Sequence, residues 1–182
     1  MPKTKKKGSR ILKTFIIIGI IVILAVIVSF KVYSAKKCSK SNDLERRTEI
    51  GTIVSSIYQY QSSPNANDAL PQCLFGKPPV LTTIPECDGS GTGSFDGAVE
   101  LGTNTNTGTY DCSNILVPFY LRKIPTDPGN SYNTKSTGYY ICQDKTKAVP
   151  RVYVIAVGAE APSSDDKCQI PGTTTPAMCV SG

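Results

Sequence analysis

The sequence predicts an α+β protein in which a long N-terminal helix, transmembrane in its first half and amphipathic in its second, packs on a small antiparallel sheet. Three observations predict it. Residues 15–30 (FIIIGIIVILAVIVSF) contain no charge. Ile50, Ile53, Val54 and Ile57 recur at i, i+3, i+4 and i+7, an apolar stripe on one helix face. Residues 138–143 (GYYICQ) and 151–159 (RVYVIAVGA) are rich in β-branched and aromatic side chains, as strands are.

The apolar run gives roughly 24 Å of helix at about 1.5 Å per residue. A bilayer core needs roughly 30 Å. Ile11, Leu12, Val32 and Tyr33 supply the remainder, and Lys13 and Lys31 can snorkel to the interfaces. The expected order is therefore a basic cytoplasmic segment (1–10), a single transmembrane helix (11–33), its amphipathic continuation (34–61) and an extracytoplasmic, disulfide-tied domain (62–182). A secretory signal cut after Ser34 competes with this order, and Lys31 before the cut argues against it.

The formal charge of +6 is unevenly spread. Residues 1–40 hold ten Lys/Arg and no acid, whereas residues 41–182 hold ten Lys/Arg and all fourteen Asp/Glu. The basic character thus belongs to topology and anionic lipid, and the body lacks the footprint of a nucleic-acid binder. Basic residues flank the span on both sides, so the cysteines orient it. Six of seven lie beyond residue 70: Cys73, Cys87, Cys112, Cys142, Cys168 and Cys179. An even number in a loop-rich body suggests disulfides and an oxidising compartment, which places the N-terminus inside. Without His or a C-x-x-C pair, zinc is the weaker reading. Six cysteines allow 15 connectivities. Cys168 with Cys179 is the favoured pair, and Cys73 with Cys87 is expected to tie the loop between them. Cys38, near the membrane, is left over.

After the span no Pro interrupts the chain until Pro64, so the helix is expected to reach about Gln61. Glu45, Arg46, Arg47 and Glu49 are expected on its wet side. Residues 62–111, rich in Pro, Gly, Thr, Asn and Ser, read as irregular surface loop. Residues 114–123 suggest a short helix or turn broken near Pro118, and residues 126–130 (TDPGN) a turn. In residues 151–159 both alternating sets are apolar, which predicts a strand covered on both faces.

Together these pieces resemble type IV pilins and pseudopilins. Lys5-Lys6-Lys7-Gly8 resembles the family's basic leader ending in Gly, which implies prepilin-type cleavage between Gly8 and Ser9. Residues 42–61 resemble the amphipathic half of the pilin helix, residues 121–130 (LRKIPTDPGN) its L-x-x-[IL]-P-x-D-P turn, and residues 153–160 (YVIAVGAE) a sheet strand and its close. Cys168 and Cys179 resemble the disulfide-closed C-terminal loop of many pilins. Two positions depart from the pattern: Ser9 stands where the family usually has an apolar residue, and Lys13 where it usually has Glu. The resemblance implies a minor pilin or pseudopilin of a type IV pilus or type II secretion-like assembly, with membrane lipid and other pilin-like subunits as partners and no nucleic acid. A monomeric single-pass surface domain with a binding role is the alternative.

Other functions have less support. Without His, Ser/His/Asp and Cys/His arrangements are excluded; no carboxylate pair or P-loop is present, and no catalysis is expected. No cofactor is required. Calcium has two weak candidates. Asp88, Ser90, Thr92, Gly93 and Asp96 follow a calcium-loop spacing until Val99 takes the twelfth position and Glu100 comes one late. Ser164, Asp165 and Asp166 resemble the calcium-binding segment of some pseudopilins.

Overall fold

The computed structural model describes residues 7–87, 97–129, 131–145, 150–160, 167–168 and 177–181, with several side chains at both ends of the apolar run left out. The chain divides into two compact units, Met1–Lys40 and Ser41–Gly182. Helix α1 spans Lys7–Gln61.

In the first unit, the side chains of residues 13–29 are described and all are exposed. This stretch measures about 25 Å along the axis, short of the roughly 30 Å of a bilayer core. Among the described residues, no helix is long and apolar enough to cross a membrane. Of the residues that the sequence adds to the run, Tyr33 is exposed and Ile11, Leu12 and Val32 have side chains outside the described set, as does Phe30 at the end of the run itself.

The second unit is a helix packed on antiparallel sheet. Strands β1 (Gln72–Phe75) and β2 (Val80–Thr83) form a hairpin. Strands β3 (Val99–Glu100), β4 (Tyr139–Asp144), β5 (Arg151–Ala156), β6 (Lys167–Cys168) and β7 (Ala177–Ser181) form a second sheet in the order β3-β4-β5-β7-β6. Every ladder is antiparallel. A short helix, α2 (Ser113–Leu116), stops just before Pro118, whose ring cannot continue it.

The α1 stripe Ile50, Ile53, Val54 and Ile57 is buried in one cluster with Tyr139 and Ile141 of β4 and with Val152, Val154 and Ala156 of β5. The alternate β5 residue Ile155 lies in a second cluster with Cys142 and Ala177. Both faces of β5 are therefore covered, as its two apolar sets require.

Three expectations are corrected. Residues 62–111 are not merely surface loop: they hold the β1–β2 hairpin and give the core Cys73, Ile84, Leu101 and Tyr110. Partners distant in sequence supply the order that local composition lacks. Leu74 and Asp111 exchange two backbone hydrogen bonds of 2.9 Å, and Gln143 of β4 bonds to Pro85 and Cys87. Secondly, Cys73 does not join Cys87. The bonds are Cys73–Cys112 and Cys87–Cys142, because β2 leads the chain away from β1 and onto β4 before Cys87 is reached. Cys179 is also disulfide-bonded, while the side chain of Cys168 lies outside the described residues. Thirdly, Arg46 is not on the wet side. It is buried, four residues before Ile50 and on the same helix face.

Candidate functional site

Two features stand out, one in each unit. In the first, every large apolar side chain from Phe15 to Val28 is exposed, from 47% at Val26 to 68% at Phe15. Ile16, Ile17 and Ile18 alone point in three directions, because successive residues turn by about 100°. This is a helix apolar all round, not a stripe. Lys13 stands exposed at its start.

In the second unit, Asp43, Arg46, Ile50, Ile53 and Ile57 form one line at helical spacing. Its charged end is a clamp between α1 and two loops. Arg46 donates from Nε to Asp127 Oδ2 at 2.8 Å and from Nη2 to Asp127 Oδ1 at 2.9 Å, a bidentate fork. Its Nη1 donates to Asp43 Oδ1 at 2.8 Å. Asp127 is fixed in turn: its backbone N–H donates to Thr137 O, and its Oδ1 accepts from Gly129 N at 2.7 Å. Asp43 Oδ1 also accepts from the backbone N–H of Glu160 at 3.2 Å. A Cβ on Gly158 would lie 2.8 Å from Asp127 Oδ2 and 3.3 Å from Arg46 Nη2, so the clamp requires glycine there. The TDPG turn and the end of YVIAVGAE, far apart in sequence, thus converge on one guanidinium.

The electrostatics follow from these contacts. The hydrogen bond to Asp127 holds the Arg46 pKa above its ordinary value; burial opposes this, and Asp43 adds to it. One turn along, burial pushes the Glu49 carboxyl up, against the hydrogen bond it accepts from the Tyr139 hydroxyl. Burial and the neighbouring Glu49 push the Tyr139 hydroxyl up as well.

The other candidates from the sequence lie wholly or partly outside the described residues. Gly8 and Ser9 lie in the first turn of α1, the side chain of Ser9 outside the described residues. Ser164, Asp165 and Asp166, and Asp88 through Asp96, also lie outside them. Glu100, at the end of the calcium-loop spacing, is in β3 and accepts hydrogen bonds from Ser136 Oγ at 2.6 Å and Gly138 N at 2.8 Å. Among the described residues, no group of three or more His, Cys, Asp or Glu could hold a metal ion. A cleft of about 180 Å³ lined by Leu101, Tyr110, Val117 and Ile124 is smaller than the roughly 300–1,000 Å³ usual for ligand pockets. Sequence reasoning missed the clamp. The signal was Asp43 and Arg46 at i and i+3, leading into the apolar stripe. In comparisons with protein-family models, curated proteins and solved structures, nothing matches the chain.

Proposed function

We propose that the chain is a membrane-anchored, pilin-like structural subunit, a minor pilin or pseudopilin of a type IV pilus or type II secretion-like assembly. The observation that carries this reading is the uncovered apolar surface of α1 between Phe15 and Val28. Burying a Val, Leu, Ile or Phe side chain is worth about 1.5–3 kcal/mol, so a dozen exposed ones demand a cover. Lipid and the apolar helices of other pilin-like subunits are covers of the right chemistry. The packing of α1 on antiparallel sheet through Ile50, Ile53, Val54 and Ile57 supports the pilin-like fold. The disulfides support a body outside the cytoplasm with the N-terminus inside. The reading assigns the chain no catalysis and no nucleic-acid partner.

Lys13 favours a second reading. An ammonium buried without a partner among apolar helices is costly. An anchor that keeps Lys13 at the interface, uncut and monomeric, avoids that cost and leaves a surface domain with a binding role. Cysteine substituted singly along residues 16–27 and crosslinked in native membranes decides between them. Intermolecular crosslinks on several helix faces are expected for a subunit, and their absence throughout removes the assembly. The mature N-terminus is a second test: Ser9 means prepilin-type cleavage, and Met1 or Pro2 an uncut anchor. Calcium at Ser164, Asp165 and Asp166 is a separate proposal, abandoned if neither millimolar calcium nor chelator shifts the melting temperature.

A further inference from the structure

The two described disulfides interlock. In chain order the cysteines are Cys73, Cys87, Cys112 and Cys142, and the bonds join the first to the third and the second to the fourth. Each bond staples elements that meet only late. Cys73–Cys112, 39 residues apart, sits beside the paired Leu74 and Asp111. Cys87–Cys142, 55 residues apart, sits where the Cys87 N–H donates to Gln143 O on β4. Neither bond can form until its second cysteine, 39 or 55 residues on, has emerged.

We infer that the chain is a client of thiol–disulfide exchange, its partner an extracytoplasmic disulfide isomerase. This rests on the proposed export of the body into an oxidising compartment, the residues nearest the anchor emerging first. There Cys73 and Cys87, 14 residues apart, emerge before either native partner. Loop closure favours this pair over Cys73–Cys112 by about fivefold. A disulfide oxidant converts the two thiols to Cys73–Cys87 and is itself reduced to two thiols. That bond blocks both native ones. Cys73, Cys112 and Cys142 are all buried in the folded domain, at 0%, 1% and 0% exposure, so the error must be undone before the core closes.

The repair is exchange without net oxidation. A thiolate of the isomerase attacks Cys73 Sγ, the bond to Cys87 breaks, and Cys87 leaves as a thiolate. The Cys112 thiolate then attacks the same Cys73 sulfur, forms Cys73–Cys112 and releases the isomerase thiolate. Cys87 and Cys142 are joined by a second oxidation like the first, with the oxidant again taking two electrons.

The test is disulfide mapping by peptide mass spectrometry on the full chain, in a host that exports it, with thiol oxidase present and isomerase present or deleted. The six cysteines of the body allow 15 connectivities, and Cys73–Cys112 occurs in three of them, so without exchange its yield is expected to fall to about a fifth. A Cys73–Cys87 crosslink should appear in its place. In the Cys87→Ser/Cys142→Ser variant the interlock is gone, and Cys73–Cys112 is expected at equal yield in both hosts. Equal native yields of the unmodified chain in both hosts, or a variant that still needs the isomerase, overturn the inference while export stands. Free thiols in both hosts overturn the export reading, and the inference with it.

Discussion

Helix α1 carries large apolar side chains on every side along residues 15–28, and along residues 50–57 it carries them on one. The first stretch is uncovered, with exposures of 47% and above. The second is sealed, with Ile50, Ile53 and Ile57 at 0%. A pattern written on one face identifies its partner within the chain, because a sheet of the right size follows. A pattern on all faces names no single face for a partner, and in the proposed function lipid and other subunits are its cover. The same substitution should therefore act on different observables in the two stretches.

The largest effect is expected at the clamp. Asp127→Ala leaves Arg46, 3% exposed, with only Asp43 to balance it. Breaking a buried ion pair from one side costs about 3–5 kcal/mol, read as a lowered unfolding midpoint of the full chain in detergent. Ile53→Ala comes next. It removes packing from a fully buried site and should cost about 2–5 kcal/mol. Gly158→Ala pushes a methyl against Asp127 Oδ2 and should cost about 1–3 kcal/mol. Ile20→Ala is the counterpart in the uncovered stretch. Its effect on unfolding of the body should stay within about 0.5 kcal/mol, while crosslinking in the proposed assembly falls. A large stability loss at Ile20 would mean that the stretch has a cover within the chain.

The contrast also explains what was legible. The sealed stretch was readable because helical periodicity and two β-branched strands each announce an apolar face. The middle of the chain was not, because Ile84 and Leu101 sit in short apolar runs cut off by Pro85 and Gly102, too brief to show a period, and are placed by bonds to Gln143 and Tyr139 far along the chain. Proximity in sequence gave the wrong disulfide for the same reason: Cys73 and Cys87 are near neighbours in the chain, but the hairpin and β4 separate them. A charge reads as a sign of solvent, and Arg46 departs from that rule. Its spacing from Ile50 put it on the buried face, and the partner that makes burial tolerable, Asp127, lies 81 residues away.

The smallest predicted effect concerns pH, and it probes the border between the clamp and the apolar stripe. Glu49 is part-buried and faces the Tyr139 hydroxyl, with Glu45 and Asp127 raising its pKa and Lys123 lowering it. Its ordinary value is 4.5, and burial raises it in the folded state. The folded protein thus binds a proton at pH values where the unfolded chain has already released it. The contribution of this group to stability is fully present below about 4.5 and is lost as pH rises through the folded value. Glu49→Gln keeps an acceptor for Tyr139 and removes the titration. Its stability relative to the unmodified protein should therefore rise with pH from about 4.5 upward, then level off, as followed by denaturant midpoints across that range. A difference of the opposite sign would mean that the Tyr139 hydrogen bond, which favours the carboxylate, outweighs burial. This turn of α1 would then be held by charge, as Asp127 holds Arg46, rather than by exclusion of water, as the sheet holds Ile50.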